Sequence, residues 1–168
     1  MKYWFFAVAH FWLAIQISTA DTRPNIILFL CDDLRADALG CTGHPWALTP
    51  NIDQLAAQGT VIENAFATTA ICVTSRCNIL TGQHAAKTGW RFGEFKGMTL
   101  TEQELRRTYL SKLKLEGYRV GYVGKWHVGN VPDAFFDDNY AFEGQGQFLS
   151  APDAEHLTSQ LANHAENV

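Results

Sequence analysis

The chain has 168 residues, 47% of them hydrophobic and 18% charged, with a formal net charge of -4. These figures give enough apolar material for one domain with a real core and exclude a largely disordered chain. The scattered Lys and Arg form no basic stripe that could track a phosphate backbone, which argues against nucleic acid as a partner.

Residues 1–20 differ in kind from the rest. Lys2 supplies a positive start, Trp4 to Ile17 is largely apolar, and Ser18, Thr19 and Ala20 offer small residues for cleavage before Asp21. This reads as a secretory signal peptide rather than a stable membrane span, because His10 and Gln16 interrupt an apolar run already short for a bilayer. A secreted or periplasmic location follows, with 21–168 as the folded part. An oxidising compartment would let Cys31, Cys41, Cys72 and Cys77 pair, and the sequence does not choose among the connectivities.

Asn25 to Leu30 is an unbroken apolar run between Pro24 and the pair Asp32 and Asp33, the pattern of a parallel strand buried on both faces. Ligands of open α/β sheets gather at the carboxyl ends of strands. Two adjacent carboxylates there repel each other and suit a hard divalent cation, Ca²⁺ or Mg²⁺, although a solvated Asp pair at a turn gives the same sequence. Thr49 to Gly59 predicts a helix, with Pro50 at its first position and Gly59 as a left-handed stop. Thr60 to Phe66 predicts a strand, which would complete a βαβ unit.

The stretch Ala70 to Gly82 is the richest in chemistry. Thr74 and Ser75 predict the cap of a helix running through Asn78, Ile79 and Leu80 to Gly82. Its start would point unpaired N–H groups at an anion, and Arg76 would add a fixed charge. Cys72 just before it is read as the precursor of a nucleophile, with a disulfide as the competing reading and a surface helix arginine as the competing reading of Arg76. Met98 to Gly117 predicts one long helix, with Thr99 and Glu102 as capping box and Leu105, Tyr109 and Leu113 on one face. Tyr118 to Val123 predicts a strand, so Lys125 and His127 follow a second strand end.

Beyond Val131 the pattern weakens. Pro132, Phe135 to Asp138, Gly144 and Gly146 suggest an irregular surface segment, and Ala154 to Asn167 a helix starting near Asp153. The expected fold is α/β, a mostly parallel sheet flanked by helices. No closing strand follows the last helix, which suggests a sheet incomplete at the C-terminal end.

Taken together, the motifs resemble the formylglycine-dependent sulfatase family of the alkaline-phosphatase-like superfamily. Cys72-Val73-Thr74-Ser75-Arg76 with Leu80-Thr81-Gly82 is similar to C-x-P-S-R followed by L-T-G, with Thr74 where the family most often has Pro. Arg23 to Ile26 leading to Asp32 and Asp33, Thr49 to Asp53, and Gly124-Lys125-Trp126-His127 agree in order and spacing. The resemblance covers roughly residues 22 to 130 and implies that 21–168 is the N-terminal portion of a catalytic domain.

What the resemblance implies is a sulfuric ester hydrolase acting on a sulfated small molecule or glycan. Cys72 would be oxidised to formylglycine by a formylglycine-generating enzyme, and its hydrate would attack sulfur. Asp32 and Asp33, with the modified Cys72, would bind Ca²⁺, Mg²⁺ being the less favoured ion. Arg76 would steady the nucleophile, Lys125 would hold a sulfate oxygen, and His127 would act as base. Two further readings keep the same residues: a formylglycine-dependent phosphonate or phosphodiester hydrolase, and a truncated, inactive sulfatase fragment.

Overall fold

The computed structural model describes residues 23–91, 93, 97–143 and 156–166, in two units, residues 1–31 and 32–168. The expected signal peptide at 1–20 lies outside the described residues. In the first unit, residues 24–31 form no strand and stay exposed, Ile27 retaining 88% of its surface. The expected buried strand is therefore corrected. An apolar run states a preference for burial, but a strand exists only where a neighbour takes its N–H and C=O groups.

The second unit opens with a 3-10 turn, Gly40–Thr42, and helix α1, Pro50–Gln58. Pro50 occupies the first turn as expected, yet the hydroxyl of Thr49 does not cap the helix. It donates to the Asp53 carboxylate (2.9 Å) and accepts from the Gly40 amide (2.9 Å), while the Cys41 amide donates to Asp53 (2.7 Å). Asp53 thus ties the preceding turn to α1. Gly59 ends the helix at φ -117, so the left-handed stop is not used. Thr60 to Phe66 forms no strand, Phe66 keeping 88% of its surface, and the predicted βαβ unit is absent for the same lack of a ladder partner.

Helix α2, Cys72–Thr81, starts one turn earlier than its hydroxyl residues predict: Ile71 is the N-cap, and Thr74 lies inside the helix, fully buried. Gly82, at φ 65, ends it in the left-handed conformation as expected. A short helix α3, Ala85–Thr88, follows.

The long helix predicted for Met98 to Gly117 is two helices, α4, Glu102–Leu105, and α5, Tyr109–Leu115. The capping box belongs to Thr101 and Glu104 rather than to Thr99 and Glu102. Thr108 causes the break. Its buried hydroxyl donates to the Leu105 carbonyl (2.7 Å) and accepts from the Ser111 amide, and the Ser111 hydroxyl donates to the same carbonyl (2.8 Å). Such local bonds offer the backbone an alternative to helix continuation. The far end of α5 follows a Schellman pattern, Gly117 (φ 82) donating to Lys114 and Tyr118 to Leu113.

Strand β1, Gly121–Lys125, pairs in parallel with β2, Asp138–Phe142, Gly121 opposite Asp138 and Lys125 opposite Phe142. The parallel sheet flanked by helices agrees with the α/β expectation. β2 corrects the expected irregular segment after Val131. Its acidic start is neutralised locally, Lys114 pairing with Asp137 (2.9 Å) and Arg119 with Asp138 (2.7 Å). The Asp137 carboxylate also accepts from the Val120 amide (2.7 Å), and these partners hold it below the usual carboxylate range. Helix α6, Leu157–Ala165, begins at the N-cap His156 rather than near Asp153, which lies outside the described residues.

One core joins these parts: Val73, Cys77 and Leu80 of α2, Leu105 of α4, Leu110 of α5, and Trp90, Leu100, Val120, Trp126, Val128 and Phe136. The loop beyond β1 is clasped to this core. Leu100 donates to the Val128 carbonyl (2.9 Å), and the Thr99 hydroxyl accepts from Asn130 (2.8 Å). Gly129, at φ +88, passes so close to Thr99 that any Cβ would collide with it.

Candidate functional site

The carboxyl end of β1 faces the first turns of α2, and there the charged residues converge. Arg76 sits four residues after Cys72, so the two share one face of the helix. Arg76 is buried, its side chain 9% exposed, a position that a guanidinium tolerates only with partners. Its Nη1 donates to the Lys125 carbonyl (2.5 Å), and its Nη2 lies 3.8 Å from Oδ2 of Asp32. The Lys125 side chain, 8% exposed, donates through Nζ to that same Oδ2 (2.5 Å). One carboxylate oxygen thus faces two buried cations. Burial alone would raise the Asp32 pKa, but the Lys125 bond and the Lys125 and Arg76 charges overcome it and hold the carboxyl below its usual range.

His127 stands two residues further on, in the left-handed conformation at φ 55. Its Nδ1 is buried without a hydrogen-bond partner. Burial, then the charges of Lys125 and Arg76, push its pKa below the ordinary histidine value, with Asp32 opposing. The imidazole is therefore neutral at pH 7, the form able to accept a proton.

Cys72 occupies the first helical position of α2, half-buried. All four cysteines are free thiols, so the disulfide reading of Cys72 is not realised. Asp33 is exposed, at φ 55, a conformation Asp adopts more readily than most residues. The structure thus gathers Asp32, Arg76, Lys125 and His127, with Cys72 on the adjoining helix face. Among the described residues no three His, Cys, Asp or Glu side chains gather to hold a metal ion, Asp32, Asp33 and Cys72 included. The two carboxylates suit Ca²⁺ in kind, as hard oxygen donors, but fall short of its usual six to eight oxygens.

The sequence marks Tyr122 only as one residue of the predicted strand Tyr118 to Val123. Its hydroxyl donates to the Lys125 carbonyl (2.7 Å), the same atom that Arg76 reaches. The signal present in the sequence was a hydroxyl-bearing aromatic three residues before the lysine. Trp126 was quoted only as part of a motif, yet it is fully buried and its Nε1 donates to the Asn130 carbonyl (3.0 Å), which fixes the turn carrying His127.

A parallel strand end that gathers two buried cations, a carboxylate and a neutral imidazole beside a helix start defines a site built for an oxyanion-bearing group. The Sulfatase family model matches residues 24–165. The chain is 36% identical to human arylsulfatase A over 146 residues, 83% of this chain and 28% of that protein. It is 40% identical to an N-acetylgalactosamine-6-O-sulfatase of Bacteroides thetaiotaomicron, covering 70% of this chain and 23% of that protein. Human steryl-sulfatase is 38% identical over 67% of this chain and 20% of its own length. The chain belongs to the sulfatase family. It spans between a fifth and somewhat over a quarter of the length of these relatives.

Proposed function

We propose that this chain carries the nucleophile and part of the sulfate-binding machinery of a secreted sulfuric ester hydrolase, and that residues 21–168 are the N-terminal part of its catalytic domain. The observation that carries the reading is the convergence of Arg76 and Lys125, both nearly buried, beside neutral His127 at the strand end next to Cys72. Two buried cations supply a field for the oxygens of a sulfate ester, a group that no neutral site would hold as well. Relatives named for sugar, steroid and aryl sulfates span several substrate types, and a sulfated carbohydrate or small molecule fits that range.

Cys72, converted to formylglycine by its maturation enzyme, would supply a hydrated aldehyde as the attacking oxygen. Its position at the first turn of α2 puts that oxygen by free N–H groups and one helical turn from Arg76. Arg76 orients it through a guanidinium fixed on the Lys125 carbonyl. Lys125, which pairs with Asp32, has its ammonium within the same cluster and would turn to a sulfate oxygen when substrate binds. His127, neutral at pH 7, takes a proton as sulfate is released. Asp32 and Asp33 would contribute oxygens to a Ca²⁺ ion whose remaining ligands lie outside the described residues, and which would supply positive charge for the sulfate oxygens when bound.

The test is chemical. When the chain is produced with a formylglycine-generating enzyme, the peptide containing Cys72 carries the aldehyde mass. Cys72→Ala abolishes sulfate release from an aryl sulfate in a form that has activity. An active preparation in which residue 72 is an unmodified thiol would overturn the mechanism.

A further inference from the structure

The Lys125 carbonyl has two lone pairs, and both are used: Arg76 Nη1 donates at 2.5 Å and the Tyr122 hydroxyl at 2.7 Å. The tyrosine ring is fixed by its neighbours. Trp126 meets it edge-on, centroids 5.2 Å apart, Phe136 lies at 5.3 Å, and these two rings contact each other at 5.7 Å. Trp126 and Phe136 are both core residues. The hydroxyl is therefore delivered to the carbonyl by a ring held on two sides, at little conformational cost.

We infer that Tyr122 is a positioning residue: its hydroxyl pins the Lys125 carbonyl so that Arg76 meets it in one orientation, with the second guanidinium nitrogen turned toward Asp32. The inference deepens the sulfatase reading and rests on it for its consequence in turnover, but not for its geometry. The phenol's partners are the Lys125 carbonyl and the Arg76 guanidinium itself, so its influence on the site runs through Arg76. Removing it leaves one carbonyl lone pair without a donor in a half-buried site. A guanidinium with five donors can then rotate to satisfy the carbonyl in other ways. Arg76 would lose its single orientation even though its charge and its helix are unchanged. Tyr122→Phe is the informative variant because it keeps the ring and removes only the donor.

The experiment uses the whole 168-residue chain. Nitrogen-15 spectra of the Arg76 guanidinium, assigned by their loss in Arg76→Lys, report its rotation and its proton exchange with solvent. In Tyr122→Phe the Arg76 protons exchange at least about fivefold faster while the unfolding midpoint is nearly unchanged, the scale expected for loss of one neutral hydrogen bond. Unchanged exchange overturns the inference. A 3-fluorotyrosine at position 122, a stronger donor of nearly the same shape, slows the exchange below that of the parent chain; if it does not, the inference fails even should Tyr122→Phe not fold. With formylglycine installed and an aryl sulfate as probe, Tyr122→Phe lowers kcat about three- to tenfold with KM within about twofold. Equal kcat in both forms overturns the inference. Failure of the co-produced enzyme to install the aldehyde at Cys72 counts against the sulfatase reading instead, and guanidinium exchange then decides the role of Tyr122.

Discussion

Asp32→Asn tests the electrostatic account of the site most directly. Asp32 is the shared carboxylate of Arg76 and Lys125, whose side chains are 9% and 8% exposed. Removing one partner of a buried pair costs about 3 to 5 kcal/mol, because a desolvated charge is left uncompensated. The Asp32 side chain keeps 36% of its surface, so solvent screens part of that interaction. We halve the figure to about 2 kcal/mol. The paired variant Asp32→Asn with Lys125→Met removes both charges and recovers much of the loss, giving a coupling energy of about 1 to 2 kcal/mol in a double-mutant cycle. Urea denaturation of the four chains at pH 7 measures it, with the slope on denaturant checked for constancy. A coupling below about 0.3 kcal/mol, the scale of independent sites, would mean that the 2.5 Å contact between Lys125 and Asp32 carries no energy, and the reasoning would fail.

Two predictions concern the frame around the site. Burial pushes the Cys77 thiol from 9.0 up to about 11, so the folded chain keeps a proton that the unfolded chain releases. The associated stability is fully present below pH 9 and is lost as pH rises through 11, by about 3 kcal/mol; Cys77→Ala flattens this part of the pH–stability curve, measured by denaturation in buffers across that range. Gly129→Ala combines a left-handed φ with a collision at Thr99 and costs about 2 kcal/mol or more; a loss no larger than that of Gly43→Ala, where φ is +90 but no atom lies within 4 Å of the added carbon, would refute the packing part of the argument.

The parts of the fold legible in the sequence are those decided within a few residues. Pro50 marks the start of α1, and Gly82 the end of α2, because a locked φ and a positive φ are local properties. Arg76 and Lys125 were chosen for their residue types at a helix start and a strand end, and the structure does bring them within reach of one carboxylate. What the sequence hid depends on partners. Asn25 to Leu30 is apolar enough, and Thr60 to Phe66 alternates enough, for a strand, yet neither pattern supplies the neighbouring chain that a ladder needs. Asp138 to Phe142 opens on an aspartate preceded by another, Asp137, and still forms β2, because Lys114 and Arg119 arrive from distant positions to neutralise the two carboxylates. Thr108 and Ser111 divided the predicted long helix by turning their hydroxyls onto one carbonyl, a competition that apolar periodicity does not register.

The double use of the Lys125 carbonyl has a consequence for how this corner of the protein can vary. Arg76 and Tyr122 read the main chain at position 125, not its side chain, and every residue type carries that same oxygen. The anchor and the ammonium are thus separable properties of one position. A leucine or methionine there would strip the charge from the site while leaving the guanidinium moored, so the chemistry at this strand end can be rewritten without redrawing its scaffold.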